Sequence, residues 1–374
     1  MPLNPASIVV PRLKSIDCLR GIAALGVVIW HFQFFFHARP LYFALFPLYT
    51  NGQLAVDTFF VISGFVLSYV YGARIGSAAD FRRYVVKRVA RLYPLHLATL
   101  LFTAGLFGLL YLETGRYGLL YGPNDAHHFI LNLGLAQYLG AQANYSFNGP
   151  AWSISTEFWV NMLFGALLAW GGRFIVPISL VIAAGAAGAL LFVAHEWSVA
   201  PKLDGWIEAE LLRTIADFFT GVLVHRAWRR WGGTSGRGSA ALGAGVAITL
   251  GAMSVPHASG SGAYIEMAAA LGGGSLLVWG CVGSRWAQSL GGSRAGTWLG
   301  DVSYSVYMWH FPVAVVFTLL GIDALLGNGV LLLVPYGFSV LAVARISFRY
   351  FENPARRWVV RVAEIPNRSL PAAF

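Results

Sequence analysis

The chain has 374 residues, 57% of them hydrophobic and only 11% charged, with a mean hydropathy of +0.63. A soluble domain carries about 25% charged residues, so this composition excludes a water-soluble fold and indicates a membrane protein. The net charge of +10 comes from basic residues flanking apolar runs rather than covering a soluble face, which excludes a nucleic-acid partner.

Apolar runs near the length of one bilayer crossing predict ten spans, at about 21–38, 52–73, 93–112, 152–170, 174–194, 207–225, 239–255, 262–281, 298–319 and 329–348. Ten spans put both termini on one side. All but Arg39, Arg116, Lys202 and Arg213 of the 26 basic residues then fall on that side, and the positive-inside rule makes it the cytoplasm. The expected fold is an all-α polytopic bundle of about ten transmembrane helices, one domain over 1–374 with its core at about 14–358, surrounded by membrane lipids. Cys18 and Cys281 suggest no disulfide framework.

The first span, LRGIAALGVVIWHFQFFF, carries Arg20 and His31 eleven residues apart. That spacing is about three helical turns, or about 16 Å, so both side chains share one face. Arginine sits at one membrane surface and the imidazole near mid-bilayer, where a titratable group is by default a functional candidate. The alternative is a histidine satisfied by a neighbouring helix. In the second span Asp57 lies toward the outer end, serving either the site or the helix start. Ser63, at the height of His31, reads with Gly64 as close helix packing.

DFRRYVVKRVARLYP reads as a basic amphipathic helix with Arg88 and Arg91 at i and i+3. Their shared face suits lipid headgroups or a polyphosphate ligand. Pro94 biases Tyr93 away from helical geometry, so the third span is predicted to start there. The outer insert 113–150 contains one short interfacial helix, with His127 and His128 solvated. The fourth span opens on Trp152 and Ser153, with Glu157 one turn further. In the sixth, Arg213 and Asp217 are spaced as an intrahelical ion pair. In the ninth, His310 again reaches mid-bilayer, after Tyr304 and Tyr307. The tail RYFENPARRWVVRVAE reads as a second basic surface helix after Pro354. Polar groups crowded inside a bundle suit a catalytic cavity or a permeation path. The absence of a repeat between the two halves argues against a transporter of an anionic or sugar substrate.

The segments LRGIAALGVVIWHF, DTFFVISGFVLS, YVVKRVARLYPLH, GPAWSISTEFWVN, LGDVSYSVYMWHFP and FRYFENPARRW resemble, in kind and order, the motifs of the acyltransferase-3 family. These are bacterial integral-membrane O-acyltransferases that decorate cell-surface and secreted glycans, lipid-linked sugars and some natural products. The chain resembles the standalone form, without an SGNH-type domain. The resemblance implies an inner-membrane enzyme taking an acyl group from acyl-CoA, usually acetyl-CoA, with no metal, and passing it to an acceptor hydroxyl such as that of a polysaccharide or lipopolysaccharide. It matches Arg20 and His31 to the family's essential pair, Arg88 and Arg91 to its RxxR element, Ser153 and Glu157 to WSxxxE, and Tyr304, Tyr307 and His310 to YSxYxxH. On this reading Arg20, Arg88 and Arg91 hold the donor. His31 acts as general base or carries the acyl group, and Glu157 or Asp57 orients it. Apart from the resemblance, Trp152, Arg116 and Lys202 at the outer side are candidates for selecting the acceptor.

Overall fold

The computed structural model describes residues 11–115, 117–142, 144–195, 202–203, 207–255, 260–327 and 329–363; Arg116 and Arg368 lie outside them. In chain order the helices are α1 (Lys14–Phe36), α2 (Tyr42–Asn51), α3 (Leu54–Tyr71), α4 (Ala78–Thr114), α5 (Ala126–Leu133), α6 (Trp152–Gly171), α7 (Ile175–His195) and α8 (Ala209–Trp231). They continue with α9 (Ser235–Met253), α10 (Gly260–Ala268), α11 (Gly274–Gly283), α12 (Arg285–Gly292), α13 (Arg294–Leu319), α14 (Ile322–Leu326), α15 (Val330–Ser347) and α16 (Asn353–Val362). Lys202–Leu203 pairs antiparallel with Ile207–Glu208 just before α8.

Each predicted span coincides with helix, 262–281 being α10 and α11 joined through the π-helical Ala269–Gly273. The fold is an all-α polytopic membrane bundle. Seven stretches among the described residues are long and apolar enough to cross a membrane, and one of them, Gly149–Phe192, holds both α6 and α7. The predicted spans outside these seven are α8 and α9. Helix α8 carries Glu210, Arg213 and Asp217, and α9 is rich in glycine and serine and holds Arg237. Leu109, Leu112, Val181, Leu331 and Phe338 are exposed on the outside of the bundle, as lipid-facing side chains should be.

Glycines set the closest helix approaches. A Cβ at Gly64 of α3 would overlap the Phe218 carbonyl oxygen of α8, and one at Gly221 would overlap the Val61 carbonyl oxygen. Such backbone contact is how helices associate where no hydrophobic effect drives them together. Asp57 with Arg213, Gly64 with Phe218, and Ser68 with His225 advance together along both helices, so α3 and α8 run parallel. Helices α1 and α13 do the same, through Asp17 against Gly300, Arg20 with Ser303, and His31 with His310. Helices α9 and α11 are antiparallel, Gly238 meeting Gly283 and Gly245 meeting Leu277. These directions match alternating spans in which the first and ninth, and the second and sixth, run alike.

Two local expectations need correction. The helix does not restart at Pro94: α4 is a continuous 37-residue helix with Pro94 inside it. A proline inside a membrane helix is tolerated where packing around it holds the helix, and Tyr304 of α13 ties to α4 at this point, its Oη donating to the Leu92 carbonyl at 2.7 Å. His128 is buried rather than solvated, with Nδ1 2.7 Å from Asp125, the N-cap of α5. The basic tail forms the expected helix, α16, which follows on from α15 without a break. Helix α15 runs through the π-helical Phe348–Glu352 into α16, and the wider π turn leaves Glu352 only 3% exposed.

Candidate active site

A cavity with about 770 Å³ of atom-free space lies between α1, α3, α4, α6 and α13. At one end it is lined by Arg20, Arg88 and Arg91, with Glu157 near Arg20 and Arg88, along its length by apolar groups including Val56, Phe60, Ile62 and Leu92, and toward the other end by Ser153 and Tyr307. Its arginines differ in what holds them. Arg20 donates from Nε to Ser303 Oγ at 2.9 Å and forms an ion pair with Asp17 at 3.2 Å. Arg91 pairs with Glu352, and its guanidinium lies over the Tyr304 ring, 5.1 Å from the centroid. Arg88 is 6% exposed and sits against the rings of Tyr71 and Tyr84, yet its Nε and one terminal nitrogen have no hydrogen-bond partner. Buried charged donors left unmatched are costly. A guanidinium in that state, lining a cavity, is a site for an anion.

At the cavity's other end Tyr307 donates to the Pro150 carbonyl at 2.8 Å, so the 2.7 Å contact with Ser153 Oγ has serine as the donor. Glu157 accepts from Ser63 Oγ at 2.7 Å. Tyr307 also stands 5.6 Å, ring to ring, from His310, which is 4.9 Å from His31. Neither histidine lines the cavity; Tyr307 lies between it and them. Carbonyls can only accept, so the contacts of His31 Nδ1 with Val27 O at 3.0 Å and of His310 Nδ1 with Tyr307 O fix the proton on Nδ1 in both rings. Each Nε2 then carries a lone pair. That of His310 is buried with no partner. The rings predicted to share one depth therefore form an adjacent pair of imidazole bases.

Asp57 is not part of this group. Its carboxylate accepts two hydrogen bonds from Arg213, at 3.2 and 2.6 Å. Arg213 also reaches Glu266 at 3.3 Å, and Asn51 donates to Glu266 at 2.6 Å. The expected pairing of Arg213 with Asp217 in one helix gives way to this bidentate contact across α3 and α8, whose backbones touch at Gly64 and Gly221. Asp217 is a buried neighbour of the pair. A carboxylate engaged in this way holds two helices together and is not at hand to orient His31. Trp152 likewise packs against Phe60 and Tyr138 and does not line the cavity.

Residues 13–349 match the family described as Acyltransferase domain. The chain belongs to the acyltransferase-3 family. Among similar proteins, "Protein 2 in picA locus" of Rhizobium radiobacter is 32% identical over 50% of this chain and 96% of its own length. Acyltransferase MdmB of Streptomyces mycarofaciens is 35% identical over 40% of this chain and 37% of its own length. The exopolysaccharide production protein ExoZ of Rhizobium meliloti is 28% identical over 72% and 78%. No solved structure matches. This acyltransferase-3 protein is thus an acyl-transferring membrane enzyme, and the transporter reading is set aside.

The structure of this acyltransferase-3 chain brings Arg20, Arg88, Arg91, Ser153, Glu157, Tyr304 and Tyr307 to one cavity, places His31 and His310 together beyond Tyr307, and puts Asp57 and Trp152 elsewhere. Sequence reasoning missed Glu352, which accepts from Arg91 and, at 2.6 Å, from Ser305. It also missed Ser303, which holds Arg20, and the buried His96, whose Nε2 meets the Asn132 carbonyl at 2.8 Å. An acid in a basic, apolar tail was the one available signal for Glu352.

Proposed function

We propose that this enzyme takes an acyl group, acetyl, from acetyl-CoA at the cytoplasmic face of a bacterial inner membrane and transfers it to a hydroxyl of an exported or cell-surface glycan. The observation that carries this reading is Arg88, buried with two guanidinium nitrogens lacking a partner, beside Arg20 and Arg91 at the end of a cavity leading toward two imidazole bases. The donor's diphosphate lies on the three arginines. Its pantetheine arm occupies the apolar middle of the cavity, and the thioester reaches the level of Tyr307. The exopolysaccharide named in one relative supports a glycan acceptor.

In this mechanism His31 Nε2 removes the proton from the acceptor hydroxyl as its oxygen attacks the thioester carbon. The tetrahedral intermediate collapses with cleavage of the C–S bond. CoA leaves as the thiol, taking the proton from the imidazolium, and the ester stays on the acceptor. His310, with its own Nε2 lone pair beside the first ring, shares the charge while His31 is protonated.

The test is a mass comparison of surface glycan from cells with and without the gene, complemented by wild type or by His31→Ala. One acetyl unit per modified sugar, restored by wild type alone, is the expected result. Identical glycan in all strains, with no acetyl transfer by purified protein, would overturn the proposal. Mass spectrometry of purified protein given acetyl-CoA without acceptor tests the base role separately, since an acetylated His31 would replace it with covalent transfer.

A further inference from the structure

Arg20 and Arg91 stand between two cavities. On one side is the large cavity described above. On the other is a smaller pocket with about 240 Å³ of atom-free space, lined by Arg12, Arg20, Arg91, Asp301, Asn353 and Arg356, with Phe348 at its wall. Four guanidiniums thus face a single carboxylate. Other acids hold these arginines without lining the pocket: Asp17, fully buried, takes Arg12 at 2.5 Å and Arg20 at 3.2 Å, and Glu352 takes Arg91. An arginine has five N–H donors. Arg12 commits its Nε and one terminal nitrogen, to Asp17 and Asp301, and Arg91 commits one terminal nitrogen, to Glu352. These partners hold the Arg12 and Arg91 guanidiniums in fixed directions at the pocket wall.

We propose that this pocket is a second phosphate subsite, taking a terminal phosphate monoester of the same ligand whose diphosphate lies against Arg20, Arg88 and Arg91. The inference rests on the acyl-CoA reading, in which that group is the 3′-phosphate of the ribose. A phosphate monoester carries close to two negative charges at pH 7, which is what four convergent guanidiniums are built to meet. The sharing of Arg20 and Arg91 sets the two anionic groups on opposite sides of one arginine pair. The pocket has less than a third of the large cavity's free space, which suits a phosphate with the nucleoside left outside. Helix α16 supplies Asn353 and Arg356, giving the basic tail a part in donor recognition.

The experiment measures affinities of CoA and of dephospho-CoA, which lacks the 3′-phosphate, for the full-length protein in nanodiscs. Wild type is expected to prefer CoA by about thirtyfold, the worth of one charge-assisted hydrogen bond. In Arg356→Gln, and separately in Asn353→Asp, that ratio falls toward one. Equal affinity in wild type, or a ratio unchanged in both variants, overturns the subsite while leaving the acyl-CoA reading intact. Binding of neither nucleotide overturns both. Phosphatidylcholine and phosphatidylglycerol nanodiscs separate the sources of phosphate: a wild-type preference for CoA that disappears in phosphatidylglycerol assigns the pocket to lipid headgroups and overturns the proposal.

Discussion

Replacing Arg88 by methionine should make the ligand-free protein more stable and the donor-bound protein less so. The substitution keeps most of the apolar stem and removes the charge. Two of the guanidinium's nitrogens are buried without partners, and each such group costs about 1–3 kcal/mol. Loss of the contacts with the Tyr71 and Tyr84 rings offsets this by about 1–2 kcal/mol in all. The net gain for the empty enzyme is then about 0–5 kcal/mol. Donor binding moves the other way, because one or two charge-assisted hydrogen bonds disappear and Kd rises by about a hundredfold. At a donor concentration of about 100 times the wild-type Kd, ligand stabilises wild type by about 2.7 kcal/mol. The variant at the same concentration gains about 0.4 kcal/mol. Thermal unfolding in detergent, with and without acetyl-CoA, reads both quantities. A lower midpoint for the empty variant would mean that Arg88 is a satisfied structural residue. An undiminished donor-induced shift would remove it from the binding site.

Other substitutions separate chemistry from scaffolding. His31→Ala should abolish transfer while leaving the unfolding transition in place, and purified, folded variant with full activity would refute its role. Asp57→Asn removes the charge facing Arg213 and should cost about 1.5–3 kcal/mol of stability with transfer per folded molecule preserved; normal stability with lost turnover would return Asp57 to the chemistry. Gly221→Val drives a side chain into the Val61 carbonyl and should cost about 3 kcal/mol or more, seen as aggregation in size-exclusion chromatography; a monodisperse, active variant would contradict the backbone contact. Glu352→Gln should raise KM for the donor several-fold with little change in kcat, because Arg91 loses its charged anchor, and an unchanged KM would refute this.

Depth was legible in the sequence because it depends on spacing alone. Counting turns along two helices placed His31 and His310 at one level, and the structure sets their rings side by side. The same arithmetic brought Arg20, Arg88 and Arg91 to one end. Choice of partner across helices was not legible. Arg213 and Asp217 share a helical face, but Asp57 on the adjacent helix offers a bidentate carboxylate at 2.6 Å, and no periodicity records which helix stands next door. Pro94 misled for a related reason. Its local bias is real, yet tertiary packing around α4 outweighs it. Glu352 was hidden because a π turn, which rotates the residues after it, moves an apparent surface acid into the bundle.

The unbroken α4 ties its two ends to one rotational phase. Each residue of an α-helix advances the face by about 100°, so a single residue inserted between Arg91 and Pro94 would swing both arginines out of the cavity while the lipid-embedded part stayed seated. Four inserted residues would bring the face back to within about 40° but lift the arginines by about 6 Å. The helix thus acts as a ruler as well as a wall: the height at which Arg88 and Arg91 meet the cavity is set by a count of residues from its lipid-embedded part.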